Sequence, residues 1–241
     1  MKRCLAAACA AVVLSAPGSA FAQAKATIAG VPDIPFTSVP SFLKLPPGEY
    51  VGESVAVATN SKGNIYVYHR RDTTRLFEFD KNGRFVAQAG SEKTGTALGE
   101  FNLPHGLQVD ERGHVWVADR SNNRYQELDN NLKPIKEVTN LGTGWTLCIS
   151  PGPHQYVFFS NSNPNGNPQG SWDNTGEIYK AELDGSVLGK FGKPGKNPPG
   201  FQVVHMLDCR NPNEVVLGEI ESWRVQKYIL QPSSGRPSAG R

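Results

Sequence analysis

What this sequence has little of limits what it can be. Outside residues 5–14 it contains no long apolar run, and a helix needs about 20 apolar residues to cross a bilayer, so a helical membrane span is excluded. Charge of one sign is also missing. There are 25 Lys and Arg against 22 Asp and Glu, a net +3, and the basic residues are scattered rather than gathered into a stripe. That removes the electrostatic footprint of a nucleic-acid binder. Cysteine is scarce, four in 241 residues. Cys148 has no second Cys or His two to four residues away, and Cys209 has only His205, so the two cysteines do not read as a cysteine-based metal pair.

The ends of the chain read as accessory segments. Residues 1–22 carry Lys2 and Arg3, an apolar stretch over 5–14, and the small-x-small site Ala20-Phe21-Ala22. That is the layout of a signal peptide, and the apolar stretch is too short for an anchor. No Leu stands three residues before Cys4 or Cys9, so there is no lipoprotein box. The reading predicts an exported protein, periplasmic or secreted, in a compartment where disulfides persist. Residues 23–50 form a Pro-rich arm (Pro32, Pro35, Pro40, Pro46, Pro47) whose Phe36, Phe42 and Leu43 are placed to pack on an outer strand. Residues 231–241, rich in Ser, Pro, Gly and Arg, read as a frayed, disordered tail.

Residues 51–230 are organised by repetition. The stretch 101–129 contains three short strands, LPHGLQVD, HVWVADR and RYQELD, separated by turns at Asp110–Gly113 and Ser121–Asn123. Residues 53–90 repeat it, with Gly63 in the place of Gly113 and Arg75 in that of Arg124, and add a fourth strand over 84–89. Residues 145–192 give a four-stranded copy, TLCIS, YVFFS, EIYKAEL and SVLGKFG; residues 203–230 give VVHMLDC, EVVLGEI and RVQKYIL. A meander repeated at roughly forty residues is the signature of a propeller blade. The predicted fold is an all-β propeller with four recognisable blades. A sandwich or irregular barrel fits the alternation but not the repeated register.

The stretch FNLPHGLQVDERGHVWVADRSNNRYQELD resembles an NHL repeat: F-x-x-P-x-G-hydrophobic-x-V-D, then G-x-hydrophobic-x-V-A-D, then N-x-R-hydrophobic-Q. The LPH…VADR and VVH…RVQK segments are similar to the bacterial six-bladed propellers of the peptidyl-α-hydroxyglycine α-amidating lyase family. The resemblance implies six blades, whereas four are recognisable and the mature length is short for six of this period; the expectation is either a shortened propeller of four blades or one in which the Pro-rich arm and the tail supply strands for a fifth. It also implies zinc-binding His on first strands, a functional Arg and a catalytic Tyr. His105 and His205 match the zinc-binding segments. Arg70, in Tyr68-His69-Arg70-Arg71-Asp72, matches a His-Arg-Gly-Asp segment that carries the Arg. Departures from the pattern are Met206 where those enzymes have Asp, and no Tyr in the loops after the second strands.

Propeller geometry sets which residues meet. The first strand of each blade lines the channel, so its start and the end of the antiparallel second strand share one face. The slot at the start of the first strand holds Val55, His105, Gly144 or Trp145, and His205; that at the end of the second holds His69, Asp119, Ser160 or Asn161, and Glu219. Neutral imidazoles of His105 and His205 suit one shared metal, or they are two separate channel-lining residues. His69 is the geometric candidate for a third ligand, but it and Arg70 cannot both point inward on a regular strand. Arg70 and Arg120 suit a carboxylate, or they form blade-to-blade ion pairs with Asp119 or Glu219. Calcium would want several Asp, Glu and Asn on the inner slots, which supply none. His114 and His154 fall in turns on the opposite face. The Asn161–Gly170 loop is a candidate lid. Trp145, Trp172 and Trp223 form either an aromatic wall or packing between blades. Cys148 and Cys209 lie on first strands of neighbouring blades, which places them for a disulfide; the alternative is two buried thiols.

Two functions follow from the reading. One is a metal-dependent lyase cleaving the C–N bond of an N-acyl-α-hydroxyglycine, with zinc as cofactor. The other is a non-catalytic propeller binding a small molecule, peptide or protein on its loop face.

Overall fold

The computed structural model describes residues 35, 37–70, 74–161, 176–195, 197–220 and 224–231; the side chain of Arg70 lies outside that set. The chain divides into two compact units, Met1–Val39 and Pro40–Arg241, and the second carries the fold. Its strands form four antiparallel sheets, and among the described residues there is no α-helix. Blade 1 contains β1 (Glu53–Thr59), β2 (Ile65–Arg70), β3 (Thr74–Phe79) and β4 (Phe85–Ser91). Blade 2 contains β5 (Leu107–Val109), β6 (Val115–Asp119), β7 (Arg124–Leu128) and β8 (Pro134–Val138). Blade 3 contains β9 (Leu147–Ile149), β10 (Tyr156–Asn161), β11 (Glu177–Glu182) and β12 (Val187–Phe191). Blade 4 contains β13 (Val204–Asn211), β14 (Glu214–Glu219) and β15 (Arg224–Ile229). The innermost strands neighbour one another in chain order, β1 on β5, β5 on β9 and β9 on β13. This is a four-blade β-propeller arrangement.

The turns explain why the meanders form where they do. The Asp110 carboxylate accepts the amide N–H groups of Arg112 and His114, and the Asn60 side chain accepts those of Lys62 and Asn64. The third residue after each is a glycine, Gly63 at φ 80° and Gly113 at φ 86°, a region that side-chain-bearing residues avoid. Blade 2 also has a strand that its sequence signature did not show: β8, PIKEV, alternates half-buried and exposed positions.

Apolar side chains meet between blades. Tyr66, Tyr68 and Leu76 pack with Phe101, Leu107 and Val117 between blades 1 and 2. Trp116 and Tyr125 meet Leu147, Val157 and Phe159 between blades 2 and 3. Phe158 and Ile178 meet Phe201, Leu207, Val215 and Leu217 between blades 3 and 4. Each fully buried side chain of this size contributes about 1.5–3 kcal/mol. Cys148 and Cys209 are bonded across this last interface, with Cα atoms 6.0 Å apart.

The two ends of the array differ. The far face of blade 1 (Val67, Phe77, Phe79) is covered by Leu43 and Leu45 of the arm and by Val51, which follows it. The Lys44 amide donates to Gly83 O at 2.7 Å. A Cβ on Gly83 would sit 2.2 Å from Phe42 O, so only glycine admits the arm there. Leu43 thus packs as the sequence suggests, Phe42 stays 37% exposed, and Phe36 lies outside the described residues. On blade 4 the far face stays open: Met206 is 63% exposed, Val225 73% and Ile229 65%. Among the described residues, blade 4 therefore does not close the ring against blade 1.

Candidate functional site

The end of each second strand does structural work. In three blades its side chain accepts the amide N–H of the residue seventeen positions earlier: Gly52 to His69 Nδ1 at 3.3 Å, Asn102 to Asp119 Oδ1 at 2.7 Å, and Gln202 to Glu219 Oε2 at 2.9 Å. In blade 3, Ser160 Oγ accepts the amides of Trp145 and Thr146 at 3.3 and 3.0 Å. Each contact ties the segment entering a blade to that blade's second strand.

Two of these latches are charged. Asp119 Oδ2 accepts Arg124 Nε at 2.8 Å, Asn122 Nδ2 at 2.8 Å and Gln126 Nε2 at 3.0 Å. Glu219 Oε1 accepts Arg224 Nε at 2.7 Å and Gln226 Nε2 at 2.6 Å. Arg124 Nη2 then reaches Glu100 O at 2.9 Å, and Arg224 Nη2 reaches Gly200 O at 2.6 Å. Burial pushes the Asp119 carboxyl up, opposed by hydrogen bonds from Asn102, Asn122 and Arg124. For Glu219 burial also works upward, but Arg224, Gln202 and Gln226 outweigh it and hold the carboxyl below its ordinary range. Among the described residues the ion pairs of Asp119 and Glu219 run to Arg124 and Arg224 rather than to Arg120. The shared acid-x4-Arg-x-Gln spacing, Asp119/Arg124/Gln126 and Glu219/Arg224/Gln226, was the signal for this in the sequence.

His69 is the blade 1 version of the same latch. It is 1% exposed, stacks on Phe77 with ring centres 4.7 Å apart, and its Nε2 has no hydrogen-bond partner among the described residues. Phe77 belongs to the face that the arm covers, so His69 faces the arm. Burial and the nearby Arg75, against Glu49, lower its pKa from the ordinary 6.5. A His whose folded pKa is depressed contributes stability that is full above the unfolded value and is lost as pH falls through the folded one. We therefore expect the urea midpoint of the wild type to fall between about pH 7.5 and 5 more steeply than that of His69→Gln, whose amide oxygen still accepts the Gly52 N–H. Parallel profiles would show that His69 does not set the acid response.

The first-strand slots behave differently, for they converge. The rings of His105 and His205 lie 4.6 Å apart, edge to face at 89°. Trp145, from the same slot of blade 3, is 5.0 Å from His105 and 5.9 Å from His205. The guanidinium carbon of Arg120 lies 3.6 Å above the Trp145 ring, a cation–π geometry. Burial, then the charge of Arg120, lowers the His205 pKa from 6.5, which keeps a ring-nitrogen lone pair available at neutral pH. Three blades thus bring two imidazoles, an indole and a guanidinium together. Arg70 ends β2 opposite Glu53. Its side chain, the 162–175 segment with Trp172, and Trp223 lie outside the described residues. The sequence signature also gave no weight to Tyr68, whose buried hydroxyl has no hydrogen-bond partner among the described residues. Burial and then Asp119 hold it well above the usual phenol range, so it stays protonated.

The 4.6 Å edge-to-face approach of the His pair lies in the range of an aromatic ring contact. Two imidazoles on one zinc at ~2.0–2.1 Å per nitrogen bring their ring centres to roughly 5 Å, and 4.6 Å is found. A second cluster has metal-like composition: ligand atoms of Asp110, His114 and Glu127 lie within 4.8 Å of one another. There, however, Arg112 Nη2 contacts Asp110 Oδ2 at 2.5 Å and Glu127 Oε1 at 2.7 Å, and Lys136 Nζ contacts Glu127 Oε2 at 2.9 Å. Two fixed cations already neutralise those carboxylates. His154 pairs with Glu182 at 2.8 Å.

The NHL repeat pattern matches residues 101–124. The matched repeat lies in blade 2 of a four-blade β-propeller arrangement. It is 27% identical over 174 residues to peptidyl-glycine alpha-amidating monooxygenase A of Xenopus laevis, covering 69% of this chain and 18% of that one. It is 31% identical over 215 residues to a probable peptidyl-alpha-hydroxyglycine alpha-amidating lyase of Caenorhabditis elegans, covering 78% of this chain and 59% of that one. To human NHL repeat-containing protein 3 it is 28% identical over 182 residues, covering 69% and 47%. Each match spans less than two thirds of the relative's length. Among the described residues no helix is long and apolar enough to cross a membrane.

Proposed function

We propose that this chain is an exported propeller of the amidating-lyase type, in which His105 and His205 hold zinc and arginines hold the substrate carboxylate. The observation that carries the reading is the 4.6 Å approach of two imidazoles from blades 2 and 4. The names of the relatives support the substrate class, an N-acyl-α-hydroxyglycine. The leader composition and the Cys148–Cys209 bond support export.

The reaction needs a proton removed from the α-hydroxyl oxygen. The electrons left there form the C=O of glyoxylate, the C–N bond breaks, and the leaving nitrogen takes up a proton to give the amide. A bound zinc would supply polarisation of the hydroxyl. The chain's own residues bind and orient. Arg120, whose guanidinium carbon lies 3.6 Å from the centre of the Trp145 ring, would offer a planar donor fork to the carboxylate, and Arg70, by its position at the end of β2, is the second candidate for that role. Trp145 excludes water from one side of the His pair, and the neutral state of His205 leaves its lone pair free for a metal.

We expect about one zinc per chain in the wild type and less than about a tenth of that in His105→Ala with His205→Ala, by elemental analysis of protein from an export-competent host. Glyoxylate release from N-benzoyl-α-hydroxyglycine should be lost in the same variant while its circular dichroism is unchanged. Equal, sub-stoichiometric zinc in both proteins would end the metal reading. The second reading, a non-catalytic binding propeller, draws on a specific observation: Asp119 and Glu219 are engaged in latches, so neither completes a shell around the two His. It predicts full folding with no glyoxylate release.

A further inference from the structure

Among the described residues, blades 1, 2 and 3 have four strands, whereas blade 4 has three. Its outermost strand, β15, pairs with β14 on one side and with no other strand among the described residues on the other. The exposed edge carries no Pro and no bulge, two devices that usually blunt such edges. Beside it, between β12 and β15, runs a groove of about 630 Å³ lined by Tyr156, Lys180, Leu188, Phe191, Tyr228 and Leu230. Gly189 is what opens it. β11 pairs Lys180 with Gly189, and a Cβ on Gly189 would meet nothing within 4 Å.

We infer that this groove and the free edge of β15 together bind an extended peptide segment, which enters as the fourth strand of blade 4. The backbone of the segment would pair with Val225 to Ile229, and every second side chain would enter the groove. The lining fixes its character. Aromatic and aliphatic walls, with Phe191 and Tyr228 ring centres 5.7 Å apart, call for apolar residues at alternate positions. Lys180 calls for a carboxylate on the segment. Its ammonium lies 4.0 Å over the Tyr156 ring and donates one hydrogen bond, to Pro212 O at 3.0 Å, and an ammonium has three donors. A second copy of this chain does not fit. Pairing two β15 edges about a two-fold axis puts both third blades on the same side of the joined sheet, where β11 and β12 of one copy would overlap those of the other. The occupant is a strand without a blade behind it.

The test uses a fluorescein-labelled octapeptide alternating Val and Thr with a C-terminal Glu. Anisotropy should show saturable binding, and amide exchange at 225–230 should slow on addition of peptide. A Cβ at Gly189 meets open space in the groove, so Gly189→Val, which projects a branched side chain there, should keep the wild-type melting temperature and weaken binding at least about tenfold. Lys180→Met should weaken binding as well. No protection of the β15 amides at millimolar peptide, or equal affinity of Gly189→Val, overturns the proposal. Equal protection of these amides by hexanoate alone would replace the strand with a small-carboxylate ligand. A rise to dimer mass in the protein alone, abolished by Val225→Lys, would replace it with self-association.

Discussion

Replacing Asp119 with Ala is expected to lower the stability of the fold by about 3–5 kcal/mol, the size found when one partner of a buried ion pair is removed. Asp119 is 0% exposed, and its oxygens receive the Asn102 amide, Arg124, Asn122 and Gln126. Every neighbour in that set is a donor, so the site accommodates only an acceptor. Removing it leaves the Arg124 guanidinium, 6% exposed as a side chain, without its buried counter-charge. Glu137 at 2.7 Å and three loop carbonyls remain but carry only part of the compensation. For a domain whose total stability is about 5–15 kcal/mol, this is a large fraction. Urea titration should show a lower midpoint at unchanged slope. Asp119→Ala combined with Arg124→Met should lose less than the sum of the single losses, because the pair acts as a unit. Glu219→Ala in blade 4 should lose less than Asp119→Ala, since Arg224 is 19% exposed as a side chain and sits in a blade with one open face. A loss under about 1 kcal/mol for Asp119→Ala would place it among ordinary surface ion pairs and refute the latch.

The second large effect concerns Cys148 and Cys209. The bond joins strands β9 and β13 across a separation of 61 residues. Loop-closure entropy for a loop of that length gives about 4 kcal/mol, equivalent to roughly 10 °C in melting temperature for a domain of this size. The bond also fastens the end blade, which packs against a neighbour on one face only. Cys148→Ala with Cys209→Ala should therefore melt well below the oxidised wild type, and the wild type should fall by a similar amount in reductant. If reductant leaves the wild-type melting curve unmoved, the bridge contributes nothing to the fold.

Much of this architecture was legible in the order of residues. Gly63 and Gly113 mark turns because no other residue takes their φ cheaply, and the nineteen-residue spacing from His105 to Arg124 recurs from His205 to Arg224. Local chemistry and period therefore determined strands, blades and the equivalence of His105 with His205, and of His69 with Asp119 and Glu219. Sequence could not determine which of two alternating side chains faces the channel, because a strand's parity is fixed only by what packs on each side. For His69 this is decided by the arm, which covers the face of Phe77, and by the Gly52 N–H just beyond the arm. Arg124 and Arg224 decide it for Asp119 and Glu219 by drawing both carboxylates into latches, and Trp145 positions Arg120 through a ring contact that leaves no trace as a charge pair in the sequence. The open face of blade 4 and the groove beside β15 are likewise tertiary facts. Whether Val225 and Ile229 are core or surface depends on a neighbouring blade, and no local pattern of residues specifies that neighbour.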